Sequence, residues 1–532
     1  MRGDEPSRTS LIENLPIRAM TDCRPSVQWC LSVFAAAMLV VASPLSAQAQ
    51  RRDAALREQR DQLVTDFRGN VQSLIDELAG KGVNDGLSEL KVWLEPVDHE
   101  YLIGQPLARQ MQPMISDDLP AVQRDWRVRL RKHREDVAKE LYALSRRAAN
   151  QRFPTLSWQL IHEVVWFDPD HTNARHLLGF QQFDHEWVTP FEAQMRRANP
   201  PRVWNERFGW LPSTHIERYE SGQRLFGSRW LPADIEAERR RDFRFAWEIE
   251  TDHFLVKTNV SHERGVELAV LLEGFHDWFK RTYPEFFTTP QQLNDALKRG
   301  AGRRGPVRRK PFVVHFYRTK EDYVARLIKK NPQIEITNGI YMPDERISHF
   351  FYDPDSDTES SLYHEATHQI LFELQAVPHE IALDANFWVV EGLACYMESF
   401  RQKDGKVTVG TPSNVRFYWA QHRLVDENFY APLGQLAPMG RVRFQNSIKL
   451  RELYSQSSGL THFLLHYNGG LYRDALIEYV LGIYGPPPRR GTIPGLDQLT
   501  GVKYTDLDLQ YRGYIKELDT EEKGTPVDTR SE

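Results

Sequence analysis

The chain has 532 residues, 41% hydrophobic and 27% charged, the balance of an ordinary soluble protein with length for about two to four domains and a sizeable core. A formal net charge of -5 gives no global case for a nucleic-acid partner. Only three cysteines are present, Cys23, Cys30 and Cys395.

Residues 31–42, Leu-Ser-Val-Phe-Ala-Ala-Ala-Met-Leu-Val-Val-Ala, form an apolar run too short for a comfortable membrane span, and Ser43-Pro-Leu-Ser-Ala47-Gln-Ala49-Gln50 follows. This pattern predicts a secretory signal peptide over 1–49, cut after Ala49. The stretch ahead of the apolar run is long for such a signal if translation begins at Met1, and a start at Met20 gives an ordinary one. An uncleaved N-terminal membrane anchor is the alternative. Cys30 precedes the run, which speaks against a lipoprotein attachment site. The expected location is therefore secreted or periplasmic, and the mature protein keeps Cys395 alone, with no internal disulfide.

From residue 50 to 185 the sequence predicts packed helices, because Leu and Val recur at three- and four-residue intervals over Asp61–Leu78 and Leu119–Ala148. Ile161-His-Glu-Val-Val-Trp-Phe-Asp-Pro-Asp170-His-Thr-Asn-Ala-Arg-His-Leu-Leu-Gly-Phe180 resembles a helical-hairpin repeat of the tetratricopeptide type. One unit is too few for a stacked array, so an all-helical support is expected ahead of a docking surface for a protein partner. Residues 186–246 carry Trp187-Val-Thr-Pro, Trp210-Leu-Pro and Trp230-Leu-Pro at intervals of about 20. They are expected to anchor an irregular connecting segment, with a carbohydrate-binding surface as the alternative.

Alternation over Phe245–Asn259 predicts a strand pair, and Val260–Phe279 a helix. Lys298–Lys310 is cationic and glycine-rich, expected as a solvated insertion, with an anionic polymer or lipid as the alternative partner. Pro311–Tyr317 predicts a strand, Lys320–Lys330 a helix, and Gly339–Tyr341 and Ile347–Tyr352 two further strands.

Immediately afterwards comes His364-Glu365-Ala366-Thr367-His368. Leu362, Ala366, Ile370 and Leu374 recur at four-residue intervals, so the run is expected to be a helix with one buried stripe, capped by Thr358 or Ser360. On a helix the two histidines lie one turn apart on one face, with Glu365 beside them. Two imidazoles at this spacing can hold zinc, and the adjacent carboxylate can take a proton from a water. A catalytic zinc needs a third protein ligand. Leu371 and Leu374 exclude the HExxHxxGxxH pattern, Glu373 is rotated away from the histidine face, and Glu380 and Asp384 fall in the linking segment. Glu391, 23 positions after His368, leaves enough chain for a second, antiparallel helix.

Trp388-Val-Val-Glu391-Gly-Leu-Ala394-Cys-Tyr396-Met-Glu398 resembles the W-x-x-E-G-x-A-x-Y-x-E signature of gluzincin metallopeptidases of the aminopeptidase N and leukotriene hydrolase type. Tyr454-Ser-Gln-Ser-Ser-Gly459, 63 positions after Glu391, resembles their tyrosine-led helix. Residues 247–485 are most similar to the bacterial peptidase-MA-like relatives of that group. The resemblance implies a zincin catalytic domain over 247–515, thermolysin-like, with a small mixed sheet and helices, and so an α+β fold behind a mainly helical N-terminal region. It implies Zn2+ held by His364, His368 and Glu391, Glu365 as general base, and Tyr454 facing the oxyanion. It also implies that the strand Arg346–Tyr352, just ahead of the zinc helix, is a sheet edge lining the cleft. Two departures matter. No G-x-M-E-N segment is present to grip a free amino terminus, which favours endopeptidase over aminopeptidase activity. Cys395 stands where thermolysin-like members carry an aspartate, and Glu398, two turns from Glu391, is the candidate to hold a zinc histidine instead.

Cys395 is otherwise expected to be a small packing residue. His462 and His466 are also four apart, but without a glutamate between them they are expected to be packing or surface residues. The tail 516–532 is polar and expected to be disordered. The function expected is a zinc peptidase acting on peptide or protein, without nucleic acid, and with a membrane contact only if the signal is uncleaved. A non-catalytic metal-containing binding protein and a cell-wall polymer binder are the rival expectations.

Overall fold

Alternation along Trp247-Glu-Ile-Glu250 and Phe254-Leu-Val-Lys-Thr258 buries Trp247, Ile249, Phe254 and Val256 on one face of a β-hairpin, and this hairpin starts the sheet beneath the site. The computed structural model describes residues 44–96, 102, 107–299, 310–355, 358–375, 381–403, 406–485 and 493–520. The apolar run of the expected signal, the middle of the cationic stretch 298–310 and the tail from 521 lie outside the described residues.

The central sheet has five strands: β1 (Trp247–Glu250), β2 (Phe254–Thr258), β3 (Phe312–Tyr317), β4 (Gly339–Met342) and β5 (Ile347–Phe351), in the order β4-β5-β3-β2-β1. The inner pairs β2/β3 and β3/β5 are parallel, and the outer pairs β1/β2 and β4/β5 are antiparallel. A 21-residue helix, His262–Thr282, makes the crossover from β2 towards β3 and buries Val266, Ala269, Leu272, Phe275 and Phe279. Ser261 caps it, its hydroxyl accepting from the Arg264 N–H. Helix and sheet together make the fold α+β.

One expectation is corrected here. Ile347–Phe351 is not an edge, because it is bonded to β3 on one side and to β4 on the other. The turn after Met342, closed by Arg346 in the left-handed region (φ 56), folds the chain back so that β4 takes the outside position.

Ahead of the sheet, the helices Pro44–Gly80, Ala121–Asn150 and Pro154–Phe167 share a core of their own, built on Phe67, Leu74, Leu141, Leu144, Ile161 and Val164. Leu293 and Leu297, from the helix Pro290–Arg299, complete that core. The Asp168-Pro169 turn leads into a helix of only six residues, Thr172–Leu177, ended by Gly179 at φ 95. No stack of helical-hairpin repeats follows it among the described residues.

The segment expected to be irregular is regular. Three β-hairpins, 181–188, 202–212 and 223–232, each lead into a short helix, and Trp187, Trp210 and Trp230 occupy the same place on the second strand of each. Their indoles pack inward: Trp187 is wholly buried, Trp210 lies edge-on to Trp204 and Phe191, and Trp230 to His215 and Tyr219. They serve as anchors.

Three helices carry the rest of the core. The histidine helix, Thr358–Leu374, buries Leu362, Ala366 and Ile370 as its periodicity predicts, each large aliphatic side chain contributing about 1.5–3 kcal/mol. The glutamate helix, Phe387–Met397, is buried on every side. The tyrosine helix, Leu450–His466, crosses it where Gly392 faces Ser457 and Thr461. A Cβ on Gly392 would stand 2.6 Å from the Ser457 carbonyl oxygen and 2.7 Å from Thr461 Oγ1, so the glycine after Glu391 permits this close crossing. Gly392→Ala is therefore expected to destabilise the protein by about 1–3 kcal/mol, read as a lowered midpoint in urea unfolding, with the backbone unable to relax because the obstacle is itself backbone.

Candidate functional site

The histidine and glutamate helices bring together the three side chains singled out as ligands. Nε2 of His368 lies 3.2 Å from Nε2 of His364, and Oε2 of Glu391 lies 3.5 Å from His364 Nε2 and 3.7 Å from His368 Nε2. A tetrahedral zinc with bonds of about 2.0–2.2 Å separates its ligand atoms by about 3.3–3.6 Å, so this triangle has the size that such an ion requires. The two nitrogens face each other as well as the carboxylate, an arrangement that wants a positive charge at its centre. The donor set, two imidazoles and one carboxylate, is the chemistry zinc prefers. His364, His368 and Glu391 could thus hold a divalent metal ion, zinc among them.

Behind the triangle, His364 is held in one orientation. Its Nδ1 lies 2.8 Å from Oε1 of Glu398, which orients the ring so that Nε2 points at Glu391 and His368. Arg416 holds Glu398 in turn through two parallel bonds, Nε to Oε2 at 2.7 Å and Nη2 to Oε1 at 3.1 Å. Burial works against the charge of Glu398, but Arg416 and then His364 outweigh it and pull its carboxyl down to about 2. Burial likewise opposes the charge of Glu391, and hydrogen bonding to His364 and His368 holds its carboxyl well below the usual range. Cys395 is fully buried with its sulfur 4.0 Å from His364 Nδ1, so the packing residue touches the ligand histidine; burial pushes its thiol up.

Glu365 is pinned to the sheet edge. Its Oε2 accepts the backbone N–H of Tyr341 on β4 at 2.7 Å. Gly339 leaves room for the ring of its sheet neighbour Phe350, which a Cβ would meet at 2.7 Å. The edge strand that faces the general-base candidate is therefore β4, running antiparallel to its neighbour.

Tyr454 stands half-buried at the start of the tyrosine helix, its ring edge-on to Phe444 at 5.5 Å. Burial first, then the charges of Glu391, Cys395 and Glu365, push its phenol well above its ordinary value. Burial first, and these charges after it, keep its hydroxyl protonated, as a donor must be.

The remaining candidates separate cleanly. Glu373 bonds to Gln369 Nε2 at 3.0 Å on the same helix and stays out of the triangle. Asp384 is exposed on the linking segment, and Glu380 lies outside the described residues. His462 and His466 are packing residues: His462 Nε2 lies 2.8 Å from the Gly410 carbonyl and its Nδ1 2.7 Å from the Tyr514 hydroxyl, and His466 Nε2 lies 2.8 Å from the Tyr396 hydroxyl. Arg416 and the Tyr341 N–H are the contributors that sequence reasoning missed. Neither has a signal in spacing, since Arg416 lies on a separate helix, Val415–Val425, and the other is a backbone group. A cavity of about 770 Å³ opens behind the glutamate helix, lined by Trp158, Trp278, Tyr396, His466 and Arg473 among others, and contains none of the triangle residues.

No family model and no curated protein matches the chain.

Two outcomes are expected. Arg416→Met, which frees Glu398 to turn from His364, is expected to weaken zinc retention about 10–100-fold, read by competition with a chromophoric chelator. Burial pulls His462 down to about 3 and His466 to about 4, so both stay neutral in the fold and can charge only on unfolding below their ordinary value of 6.5. The unfolded chain then binds more protons, so stability is full above about pH 6.5 and declines as pH falls toward 4. Replacing His466 with Gln flattens that decline in urea melts taken across this window.

Proposed function

We propose that this protein is a zinc-dependent peptidase of gluzincin type, a thermolysin-like zincin, hydrolysing peptide bonds in an extracytoplasmic compartment. The observation that carries the reading is the convergence of His364 Nε2, His368 Nε2 and Glu391 Oε2 within 3.2–3.7 Å, with Glu365 one residue from the first ligand. A purely structural metal site has no use for a carboxylate in that place. A zinc ion on these three side chains would supply Lewis acidity, polarising a peptide carbonyl and making a water more acidic.

The chain's own groups do the rest. Glu365, its other oxygen tied to Tyr341, takes a proton from the attacking water and delivers it to the leaving amine. Tyr454 donates its hydroxyl hydrogen to the oxyanion that forms on the carbonyl oxygen. Glu398 and Arg416 hold His364 so that Nε2 faces inward. The outer edge of β4, which pairs with no further strand among the described residues, offers an extended peptide main-chain partners beside Glu365. The missing amine-gripping segment favours an endopeptidase. Secretion rests on the apolar run at residues 31–42; among the described residues no helix is long and apolar enough to cross a membrane.

Glu365→Gln is expected to leave bound zinc unchanged while cleavage of a peptide library falls by about 10²–10⁴-fold. Tyr454→Phe is expected to lower kcat about 10²–10³-fold with little change in KM. A wild-type protein that binds zinc in the triangle yet cuts nothing in the library would move the assignment to a metal-containing binding protein.

A further inference from the structure

A second group of metal-binding side chains lies away from the triangle. Glu273, His276 and Asp277 share one face of the helix His262–Thr282, and His253 comes from the turn between β1 and β2. One ligand atom from each lies within 4.8 Å of the other three. His253 Nδ1 is 2.8 Å from Glu273 Oε2, and His276 Nδ1 is 3.9 Å from Asp277 Oδ1.

Glu273 also has a structural task. Its Oε1 accepts from Thr251 Oγ1 at 2.6 Å and from the His253 N–H at 2.5 Å, which explains why a carboxylate sits under this turn. It does not explain His276. That residue is 3% exposed, and its Nδ1 has no hydrogen-bond partner. A buried imidazole nitrogen left unpaired costs about 1–3 kcal/mol, and here two carboxylates and a second imidazole surround it.

We propose that His253, Glu273, His276 and Asp277 form a second divalent-cation site, separate from the triangle and sharing no residue with it. Two nitrogens and two carboxylate oxygens select a zinc-like ion over calcium or magnesium, which take oxygen ligands. The imidazoles of His253 and His276 stack with centroids 3.8 Å apart and 28° between planes, so both can bind one ion only after one ring turns. His253 is the ring with room to do so, being 31% exposed, and turning exchanges its bond to Glu273 for a shared ion. Arg281, whose Nε donates to the Asp277 carbonyl oxygen, and Lys280 lie on the next turn of the helix and balance part of the acidic charge. The ion would fasten the β1–β2 turn to the crossover helix, so its role is structural.

The test counts ions on the full chain, stripped with chelator, reloaded with zinc and freed of excess by gel filtration. Wild type is expected to hold two ions, the His364→Ala/His368→Ala variant one, and the His253→Gln/Asp277→Asn variant one. In the His364→Ala/His368→Ala background, added zinc is expected to raise the melting temperature, and the rise should vanish once His253→Gln and Asp277→Asn are combined with it. Asp277→Asn alone, at a side chain 53% exposed, gives the same count if the double change misfolds. A wild type with a single ion that disappears with His364 and His368, or two ions retained in the Asp277→Asn protein, overturns the proposal. A single ion that survives loss of His364 and His368 but not of His253 and Asp277 keeps this site and removes the peptidase reading instead.

Discussion

A carboxylate buried against two imidazoles sets the terms for the rest of the protein. Glu391 is 8% exposed and His364 and His368 are close enough to share its charge, so the three tolerate one another only if a proton or a cation sits among them. That demand propagates outward. His364 can turn Nε2 inward only because Nδ1 is held by Glu398, and Glu398 can stay ionised in a buried place only because Arg416 grips both its oxygens. Five charged or ionisable groups, carried on or beside three helices, thus form one chain of dependence.

The packing around this chain follows from it. Two helices can present ligands to one point only if they lie close, and the glutamate helix is held from behind by the tyrosine helix at the Gly392 crossing. Gly392 removes the one atom that would keep the two helix backbones apart. Tyr454 lies on that same tyrosine helix, one turn before Ser457. On the opposite side, a backbone N–H of the sheet edge, that of Tyr341, bonds to Glu365.

The N-terminal half has a core of its own. Its helices bury their own apolar surface and take in Leu293 and Leu297 from the later part of the chain, while Phe208, Leu211 and Tyr219 form a small cluster among the hairpins. The regularity of the hairpins went unseen because each strand is only three or four residues long, too short for alternation to register, although the tryptophans returned at even intervals.

Much of the site was legible in the sequence, because its signal is local. Histidines four apart share a helix face by geometry alone, the stripe from Leu362 to Ile370 fixes which face is buried, and the strands at 247–258 and 312–317 declare themselves by alternation. The resemblance through Trp388–Glu398 supplied Glu391 and Glu398, and their side chains indeed reach His364. Tertiary structure alone decided the rest. Which strand forms the sheet edge depends on a left-handed turn at Arg346 and on pairing partners far along the chain. Arg416 meets Glu398 across 18 residues and a separate helix, and His253 meets His276 because a hairpin turn lies over a helix. Periodicity records what a residue does within its own element; it carries no information about which elements will meet, since that is settled by packing the whole core at once.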